Sequence, residues 1–295
     1  MYHIRKPDFL IIGAQKCGTS WLWRALKEHP GTDLRNPKEI FFFSNRKLYM
    51  RGLEWYYNCF KCLDSDKIIG EASTSYFYDH VLIDNTIIDY SFPTIPELIS
   101  RELPNVKIFI ILRDPVERAI SAYFHHMQYH HYSPYEPLRI VCDAYPRQRV
   151  LELGHYSRYL TLWKQFVPDD RMCCFVFEED ILMNRANTVT RAYTFLNLDA
   201  TFTPSVVDKR ENKRHSWMFL LLTYYTRHNP SFNHIVSSRL SQAILNRLSC
   251  VKPPMINPSD IDYLRSVYLP EKHELETMLN RRLDCWKYGA DKLPH

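Results

Sequence analysis

A predicted buried strand that runs straight into a glycine-containing loop and a helix constrains the fold of this chain more than any other stretch. Residues 9–22 read FLIIGAQKCGTSWL, and Gly13 and Gly18 have the spacing of the two glycines in an ATP-binding P-loop. In that loop the lysine directly follows the second glycine, whereas here Lys16 lies inside the loop. The spacing predicts a phosphate-binding loop, and the position of the lysine argues against an ordinary ATP site.

Short apolar runs that alternate with helical patterns extend this strand–loop–helix unit into an α/β fold. The predicted strands are Phe9 to Ile12, Ile68-Ile69 leading into Gly70-Glu71, Val106 to Leu112, and Met172 to Phe177. The predicted helices are Ser20 to His29, Pro115 to His126, Arg147 to Phe166, Asn184 to Phe195, Trp217 to Arg227, and Ser259 to Asn280. Ser259 or Asp260 is the expected cap of the last helix, and Pro270 is expected to bend or break it.

Strands that alternate with helices indicate a P-loop-like three-layer fold, in which a central parallel sheet is flanked by helices on both faces. A ligand then binds beyond the carboxyl ends of the strands, which is where the glycine loop falls. The most linker-like stretch, residues 251–258, is too short to divide the chain, so we expect a single domain over residues 1–295.

Composition excludes several classes of protein. The chain has 295 residues, 45% of them hydrophobic, and no apolar run approaches the roughly 20 residues that span a bilayer. No membrane span is expected, and without a signal-peptide pattern the location is cytoplasmic if the chain is complete. An excised catalytic domain of a membrane-anchored protein of the Golgi lumen would read similarly. The net charge of +5 is too small to predict nucleic-acid binding, and no oligomeric state can be read from the sequence.

The cysteines do not predict a metal site. Cys59 and Cys62 form a C-x-x-C pair, but no second pair follows at the spacing of a zinc site. Cys173 and Cys174 adjoin in a predicted strand. Ordinary reduced thiols are the favoured interpretation, with a disulfide as the alternative if the protein is secreted.

A second segment adds an anion-binding pattern to the glycine loop. Arg113 follows the third predicted strand, and Ser121 lies two turns along the next helix, so both can address the same side of the sheet. An arginine fork and a hydroxyl suit a phosphate dianion. Taken separately, these residues could equally form a surface ion pair with Asp114 or Glu117 and a solvent-facing serine.

Together the two segments resemble the sulfotransferases that use 3'-phosphoadenosine 5'-phosphosulfate (PAPS), most closely the heparan sulfate and carbohydrate branch with its bacterial homologues. The similarity continues through residues 154–163, 176–180 and 195–198. The resemblance implies that the loop binds the 5'-phosphosulfate and that Arg113 and Ser121 bind the 3'-phosphate. The implied loop contacts are Lys16, Cys17, Gly18, Thr19, Ser20 and Trp21. The product is 3'-phosphoadenosine 5'-phosphate (PAP), and no metal is implied.

In-line transfer of a sulfuryl group leaves negative charge on the bridging oxygen, which a cation must stabilise. Lys16 is the candidate for this role. The acceptor must also lose a proton, and the resemblance assigns the base to Glu39, in the segment Lys38-Glu39-Ile40-Phe41-Phe42-Phe43. His125 and His126 are rival bases on the helix after Ser121, and His155 is a weaker one.

The chain departs from that branch after the second predicted strand. The branch commonly has Glu-Lys-Thr-Pro where this chain has Glu71-Ala72-Ser73-Thr74, so Ala72 replaces a lysine near the reacting centre. Glu71 is expected to help position the acceptor or Lys16. A later basic loop is expected to close over the nucleotide, with Lys213 and Arg214 as contacts and Lys209 and Arg210 as alternatives.

The acceptor stays open between a small molecule and a carbohydrate, and between O- and N-sulfation. Tyr76, Phe77 and Tyr78, beside the predicted site, favour a closed pocket for a small soluble acceptor. Two other classes compete with the sulfotransferase interpretation. One is a P-loop kinase or NTPase, which requires Mg2+ and a lysine in the Walker position. The other is a noncatalytic nucleotide-binding protein.

Overall fold

The computed structural model describes residues 3–34, 37–62, 64, 66–83, 87–208, 217–228, 241 and 256–288. Its strands are β1 (His3–Ile4), β2 (Phe9–Gly13), β3 (Lys61–Cys62), β4 (Gly70–Glu71), β5 (Leu82–Ile83), β6 (Ile87–Ile88), β7 (Lys107–Leu112) and β8 (Met172–Val176). Its α-helices are α1 (Thr19–Glu28), α2 (Arg46–Tyr49), α3 (Leu53–Tyr57), α4 (Ile95–Glu102), α5 (Pro115–Gln128), α6 (Leu138–Ala144), α7 (Tyr156–Phe166), α8 (Arg185–Leu196), α9 (Trp217–Thr226), α10 (Pro258–Tyr268) and α11 (Lys272–Leu279). Short 3-10 helices cover Phe42–Ser44, Thr74–Phe77, Pro146–Gln148, Glu152–Gly154, Asp169–Arg171, Ser205–Asp208 and Leu269–Glu271, and a π-helix covers Phe177–Met183.

A four-stranded sheet in the order β4-β2-β7-β8 forms the centre of the fold. Every neighbouring pair in it is parallel. All five residues of β2 are buried, which requires that both faces of the sheet be covered. Helices joined to these strands provide the cover, so the predicted α/β class with a central parallel sheet flanked by helices is confirmed. Outside the sheet, β1 pairs with β3 and β5 with β6 as antiparallel ribbons.

Aromatic packing around β7 holds the layers together. The ring of Phe109 meets Phe9 of β2 edge-on at 5.9 Å and stacks on Phe175 of β8 at 6.1 Å. On α8, Phe195 meets the same ring edge-on at 5.1 Å. Since Phe109 is fully buried, its contacts join three strands and a helix layer through one side chain.

The four predicted sheet strands are confirmed, but the helix predicted from Arg147 to Phe166 is wrong in its first half. The α-helix begins only at Tyr156, and two 3-10 turns precede it. Arg149 adopts a left-handed backbone with φ of 49°. At Gly154 a Cβ would lie 2.6 Å from the ring of Tyr268, so the chain is bent there to bring it close to α10. Tertiary packing overrides the local helical pattern in this segment.

The C-terminal helical region divides as the proline predicts. The helix α10 ends at Tyr268, and a 3-10 turn containing Pro270 separates it from α11. Its cap is Asn257, with Pro258 in the first turn, rather than Ser259 or Asp260. Asp260 instead completes a capping box by accepting from the backbone of Asn257. The predicted cap is therefore wrong: the cap lies two or three positions before the residues that were expected.

No helix in the described part of the chain is long and apolar enough to cross a membrane. The assignment of residues 1–295 to a single domain stays a prediction.

Replacing Phe109 by alanine should lower the free energy of unfolding by roughly 3–5 kcal/mol, because the cavity left would remove contacts to β2, β8 and α8 together. Denaturant unfolding measures this change. As a control, Ile140→Ala removes a side chain that is 44% exposed and should change the stability by less than about 1 kcal/mol. Equal effects of the two substitutions would contradict the central role of Phe109.

Candidate functional site

The loop between β2 and α1 has a backbone path that only glycine permits at its ends. Gly13 and Gly18 have φ of 155° and 95°. A Cβ on Gly18 would lie 2.8 Å from the ring of Phe177, and one on Gly13 would lie 2.6 Å from Phe77. The loop leads into the N-terminus of α1, where the first backbone N–H groups have no acceptor within the helix. Such an end of a helix attracts an anion.

Lys16 lies in the middle of this loop and contacts α5. Its Nζ is 3.4 Å from Nδ1 of His125. Burial, and to a smaller extent the charge of Lys16, lowers the pKa of His125 to about 4. At neutral pH the imidazole is therefore uncharged, and its Nδ1 can accept a hydrogen bond from the lysine. His125, a predicted rival base, thus faces the predicted cation.

Arg113 reaches the same loop from the carboxyl end of β7. Its Nη1 donates to the backbone oxygen of Lys16 at 3.2 Å, and its Nη2 lies 3.6 Å from Glu117. The guanidinium covers the ring of Phe177 at 5.0 Å. Its Nε is buried and has no hydrogen-bond partner among the described residues. A guanidinium with an unused buried donor fits a phosphate oxygen.

Ser121 lies on α5 between Arg113 and His125. It is half-buried and comes four residues before His125, so the two side chains share one face of the helix. Since His125 contacts Lys16, this face is turned toward the loop. The structure therefore brings the two sequence motifs to one edge of the sheet.

Lys38 links the segment after α1 to the start of that helix. Its Nζ donates to Ser20 Oγ at 3.0 Å and to Glu39 Oε1 at 3.0 Å. The Glu39 side chain is 34% exposed, so it is open to a molecule that binds beside the loop. Ser20 and Glu39, separated by 19 positions, are thus bridged by one ammonium group.

Two other predicted loop contacts use their side chains inside the protein. The thiol of Cys17 is buried 3.5 Å from the hydroxyl of Tyr156, and burial raises its pKa to about 11. The indole of Trp21 donates to the backbone oxygen of Val206 at 3.2 Å, and its amide donates to Gly18 at 3.0 Å. These side chains fix the loop and α1 in place.

Glu71 does not face an acceptor, contrary to the expectation from the sequence. It is fully buried at the end of β4. Its pKa is raised to about 8, chiefly by burial and also by the charge of Glu39. The hydroxyls of Tyr76 and Ser73 act in the opposite direction and lower this pKa. Neither hydroxyl reaches a carboxylate oxygen in full hydrogen-bond geometry, and the described residues offer no other partner. The carboxyl group is therefore held largely uncharged at neutral pH.

The aromatic residues that suggested a small-molecule pocket belong to the core. Tyr76 and Phe77 are fully buried, and Tyr78 is 5% exposed. Phe77 packs on Tyr159 and Tyr156 of α7. Their presence in the sequence therefore gives no support for a small soluble acceptor.

The remaining rival bases have other surroundings. His126 lies with its Nδ1 3.1 Å from Nδ1 of His131, and burial lowers its pKa to about 3. His155 pairs with Glu271 near α7. The predicted contacts Lys213 and Arg214, with Lys209 and Arg210, lie outside the described residues.

Glu178 was not found from the sequence, yet it fixes the strand end that carries Arg113. Its two oxygens accept from the amide of Asp114 at 3.1 Å and from the indole of Trp286 at 2.9 Å. Burial raises its pKa to about 7. Asp114 in turn caps α5 by accepting from the amides of Val116 and Glu117. Only the aspartate before a helix proline gave a local signal of this arrangement.

Within the described ranges, no group of three or more histidine, cysteine, aspartate or glutamate residues could hold a metal ion. The cysteines whose side chains are described are free thiols: Cys17, Cys59, Cys142, Cys173, Cys174 and Cys285.

A family model described as the sulfotransferase domain matches residues 6–238, which is more than half of the chain. The chain belongs to the sulfotransferase domain family. The bifunctional heparan sulfate N-deacetylase/N-sulfotransferase 1 of Caenorhabditis elegans is 30% identical to it over 210 residues. That alignment covers 65% of this chain and 22% of the relative, so the chain spans less than a quarter of the relative's length.

Solved structures of other sulfotransferases share the fold. The sulfotransferase from Alicyclobacillus acidocaldarius superposes with a TM-score of 0.67 at 21% identity, covering 96% of this chain and 100% of that one. Mouse sulfotransferase SULT7A1, complexed with PAP, superposes with a TM-score of 0.51 at 15% identity, covering 99% of this chain and 91% of that one. At these identities the likeness concerns the fold, and it agrees with the predicted sulfotransferase architecture.

Glu71→Gln should remove one source of pH-dependent stability. Because the folded pKa of Glu71, about 8, lies above its ordinary value of 4.5, the folded protein holds a proton that the unfolded chain releases between those pH values. This contribution to stability is fully present below about pH 4.5 and is lost as the pH rises toward 8. The melting temperature of the variant should therefore gain on that of the native protein from pH 5 to pH 8.

Thermal unfolding at several pH values measures this difference. Glu274→Gln, at an exposed position of α11, serves as the control and should follow the native curve. A constant offset between Glu71→Gln and the native protein across that range would show that Glu71 is ionised in the folded state.

Proposed function

We propose that this chain transfers a sulfuryl group from PAPS to a hydroxyl or amino group of a carbohydrate acceptor. The proposal rests mainly on the contacts of Lys16 at the carboxyl edge of the sheet. Its Nζ contacts Nδ1 of His125, and its backbone oxygen accepts from Arg113, within the loop whose geometry suits an anion. Membership of the sulfotransferase domain family supports the reaction class. The carbohydrate acceptor is supported by the relative named for heparan sulfate N-sulfotransferase activity. A small-molecule acceptor loses its main argument because the aromatic run is core.

The donor phosphates fit the residues around the loop. The backbone N–H groups of Gly18, Thr19 and Ser20 would hold the 5'-phosphate at the start of α1. Arg113 and Ser121 would hold the 3'-phosphate, and the unused buried Nε of Arg113 is the structural sign of that role. Donors of three kinds, namely backbone N–H groups, a guanidinium and a hydroxyl, would fix the orientation of the donor as well as balance its charge. When bound, PAPS supplies the sulfuryl group and the phosphate that departs.

Lys16 would stabilise the charge that develops during transfer. As the acceptor oxygen or nitrogen bonds to sulfur, the bond from sulfur to the bridging phosphate oxygen breaks and its electrons stay on that oxygen. An ammonium beside this oxygen lowers the energy of the transition state more than that of the bound substrate. A neutral His125 serves this role, because it orients the lysine without neutralising its charge.

Glu39 would accept the proton that the acceptor loses. Its side chain is one-third exposed, and the Lys38 ammonium 3.0 Å from its Oε1 fixes its direction. The same ammonium contacts Ser20 at the start of α1, which ties the base to the donor loop. This link is the geometric argument for Glu39 over His126, whose ring contacts His131, and over His155, which pairs with Glu271.

Lys16→Ala and Arg113→Ala should separate turnover from binding. The first should reduce the transfer rate by roughly 10²–10³-fold, as removal of a transition-state donor does. The second should weaken PAP binding by roughly 10- to 100-fold, as expected for a lost charged hydrogen bond. Calorimetry with PAP and with ATP, without and with Mg2+, together with a labelled-sulfate transfer assay, measures both.

Exposed basic residues provide the controls for these two variants. Lys27→Ala and Arg147→Ala should bind PAP and turn over as the native protein does. Binding of ATP in preference to PAP, and only with Mg2+, would replace the proposal with a P-loop kinase or NTPase.

Glu39→Gln should retain PAP binding while losing roughly 10²–10⁴-fold in transfer rate, the usual contribution of a general base. Calorimetry and single-turnover transfer to heparan-type oligosaccharides measure the two quantities. Glu54→Gln, at an exposed position of α3, is the matched control. Native-like transfer by Glu39→Gln would place the base elsewhere. PAP binding without transfer by the native protein would favour a noncatalytic nucleotide-binding role.

A further inference from the structure

The segment that carries Glu39 is held by side chains from the segment after β4. The backbone oxygen of Lys38 accepts from the amide of Ala72 at 2.8 Å. The amides of Ile40 and Phe41 both donate to Ser73 Oγ, at 3.0 and 3.1 Å. Further along, the amide of Phe43 donates to the hydroxyl of Tyr76 at 3.4 Å. Backbone groups on both sides of Glu39 are therefore bound.

The two hydroxyls that accept these bonds are themselves fully buried. A serine hydroxyl that accepts two N–H groups still has its own proton to donate, and a buried proton needs an acceptor within the protein. The same holds for Tyr76. Both hydroxyls lie close enough to Glu71 to lower its pKa. Glu71 is the buried carboxyl group beside both hydroxyls. Its two oxygens are buried without a hydrogen-bond partner among the described residues, so it is the acceptor to which a small shift of either hydroxyl would bring a proton.

The backbone of the held segment is strained at Phe41. Phe41 has φ of 59°, in the left-handed region that a bulky residue rarely adopts, and its ring is 37% exposed. Such a conformation costs on the order of 1–3 kcal/mol unless neighbours impose it. Two neighbours act on this residue: its amide donates to Ser73 Oγ at 3.1 Å, and its backbone oxygen accepts from the amide of Ser44 at 3.2 Å. Glu39 lies two positions earlier, so its direction depends on the same contacts.

We propose that Glu71 is a positioning residue which, through the hydroxyls of Ser73 and Tyr76, fixes the segment Ile40–Phe43 and so aims Glu39. This role rests on the proposed function, because it concerns the base of that reaction. It assigns a role to the buried carboxyl group of Glu71, which contacts neither the donor nor the acceptor.

The charge around Glu71 sets the condition for this role. Its titratable neighbours are Glu39, Tyr56, Tyr76 and Cys59. Burial raises the pKa of Tyr56, Tyr76 and Cys59 as well, so these three groups are neutral at physiological pH. The buried hydroxyl of Tyr56 has no hydrogen-bond partner in the described part of the chain. A neutral Glu71 places no second negative charge beside Glu39.

Three variants and a matched control test the proposal. Ser73→Ala removes the acceptor of two amides, Glu71→Leu removes the acceptor of two hydroxyls, and Glu71→Gln restores a neutral acceptor of the same shape. Ser75→Ala is the control, since Ser75 bonds to Ser44 Oγ at 2.6 Å, whereas the amides of Ile40 and Phe41 donate to Ser73. Hydrogen exchange of the Ile40 and Phe41 amides, PAP calorimetry and transfer kinetics are measured on each.

Ser73→Ala and Glu71→Leu should exchange these two amides at least tenfold faster and lose at least tenfold in kcat, with KM and PAP affinity within twofold of native. Glu71→Gln should recover most of the kcat that Glu71→Leu loses, and Ser75→Ala should match the native protein. Native-like exchange and kcat in Ser73→Ala would overturn the proposal even if Glu71→Leu fails to fold. So would a loss of PAP affinity equal to the loss in kcat, because that result indicates general disruption.

The exchange measurement keeps this proposal separate from the proposed function. If the native protein transfers no sulfuryl group, the proposed function is wrong. The exchange rates of the Ile40 and Phe41 amides would still decide whether Ser73 and Glu71 hold the segment. Faster exchange together with normal transfer by Glu39→Gln would overturn the role of Glu71 in aiming a base.

Discussion

The position of β2 between β4 and β7 determines where the glycine loop and the Arg113 segment meet. Parallel strands bring their carboxyl ends to one edge of a sheet, and three segments leave that edge side by side. The glycine loop follows β2, Arg113 follows β7, and the Glu71–Tyr76 segment follows β4. All five residues of β2 are buried, so a shift in register would disrupt the close packing on both faces of the strand. The pairing of these three strands therefore fixes the site.

Positive charge at this edge is oriented largely by neutral groups. Arg113 donates to the carbonyl oxygen of Lys16, and Lys16 meets an imidazole that burial keeps uncharged. A cation oriented by a neutral acceptor retains its charge for a bound anion, whereas a cation in an ion pair is partly neutralised. Two contacts differ, because Lys38 pairs with Glu39 and Arg113 also lies 3.6 Å from Glu117. The arrangement suits a polyanionic donor on one side and a proton acceptor on the other.

Two residues of the site have left-handed backbones although they are not glycine. Lys16 has φ of 68° in the donor loop, and Phe41 has φ of 59° two positions after Glu39. Strain of this kind persists only where the surrounding structure imposes it, and it is concentrated at functional sites in many proteins. Here the contacts that impose it come from β7 and from the segment after β4. The proposed catalytic groups are thus held by the sheet rather than by their own segments.

The sequence by itself determined the strand–loop–helix unit, the four sheet strands, the α/β class and the resemblance that places Lys16, Arg113 and Ser121 together. These features depend on local patterns, namely apolar runs, glycine spacing and residues that follow strand ends. Local patterns failed where distant packing decides the backbone. Two 3-10 turns replace the helix predicted before Tyr156, where Gly154 lies against Tyr268, and Tyr76 to Tyr78 fill the core rather than a pocket.

Only the tertiary structure decided the partners of the site residues. Glu178 supports the strand end that carries Arg113, His125 meets Lys16, and Glu71 lies buried beneath the segment of Glu39. Each pair joins residues that are between 32 and 109 positions apart in the chain. Their charge states follow from burial, which depends on how the layers close over them and leaves no periodic pattern in the sequence. Sequence patterns therefore determined the elements of this site, and packing decided their contacts and protonation.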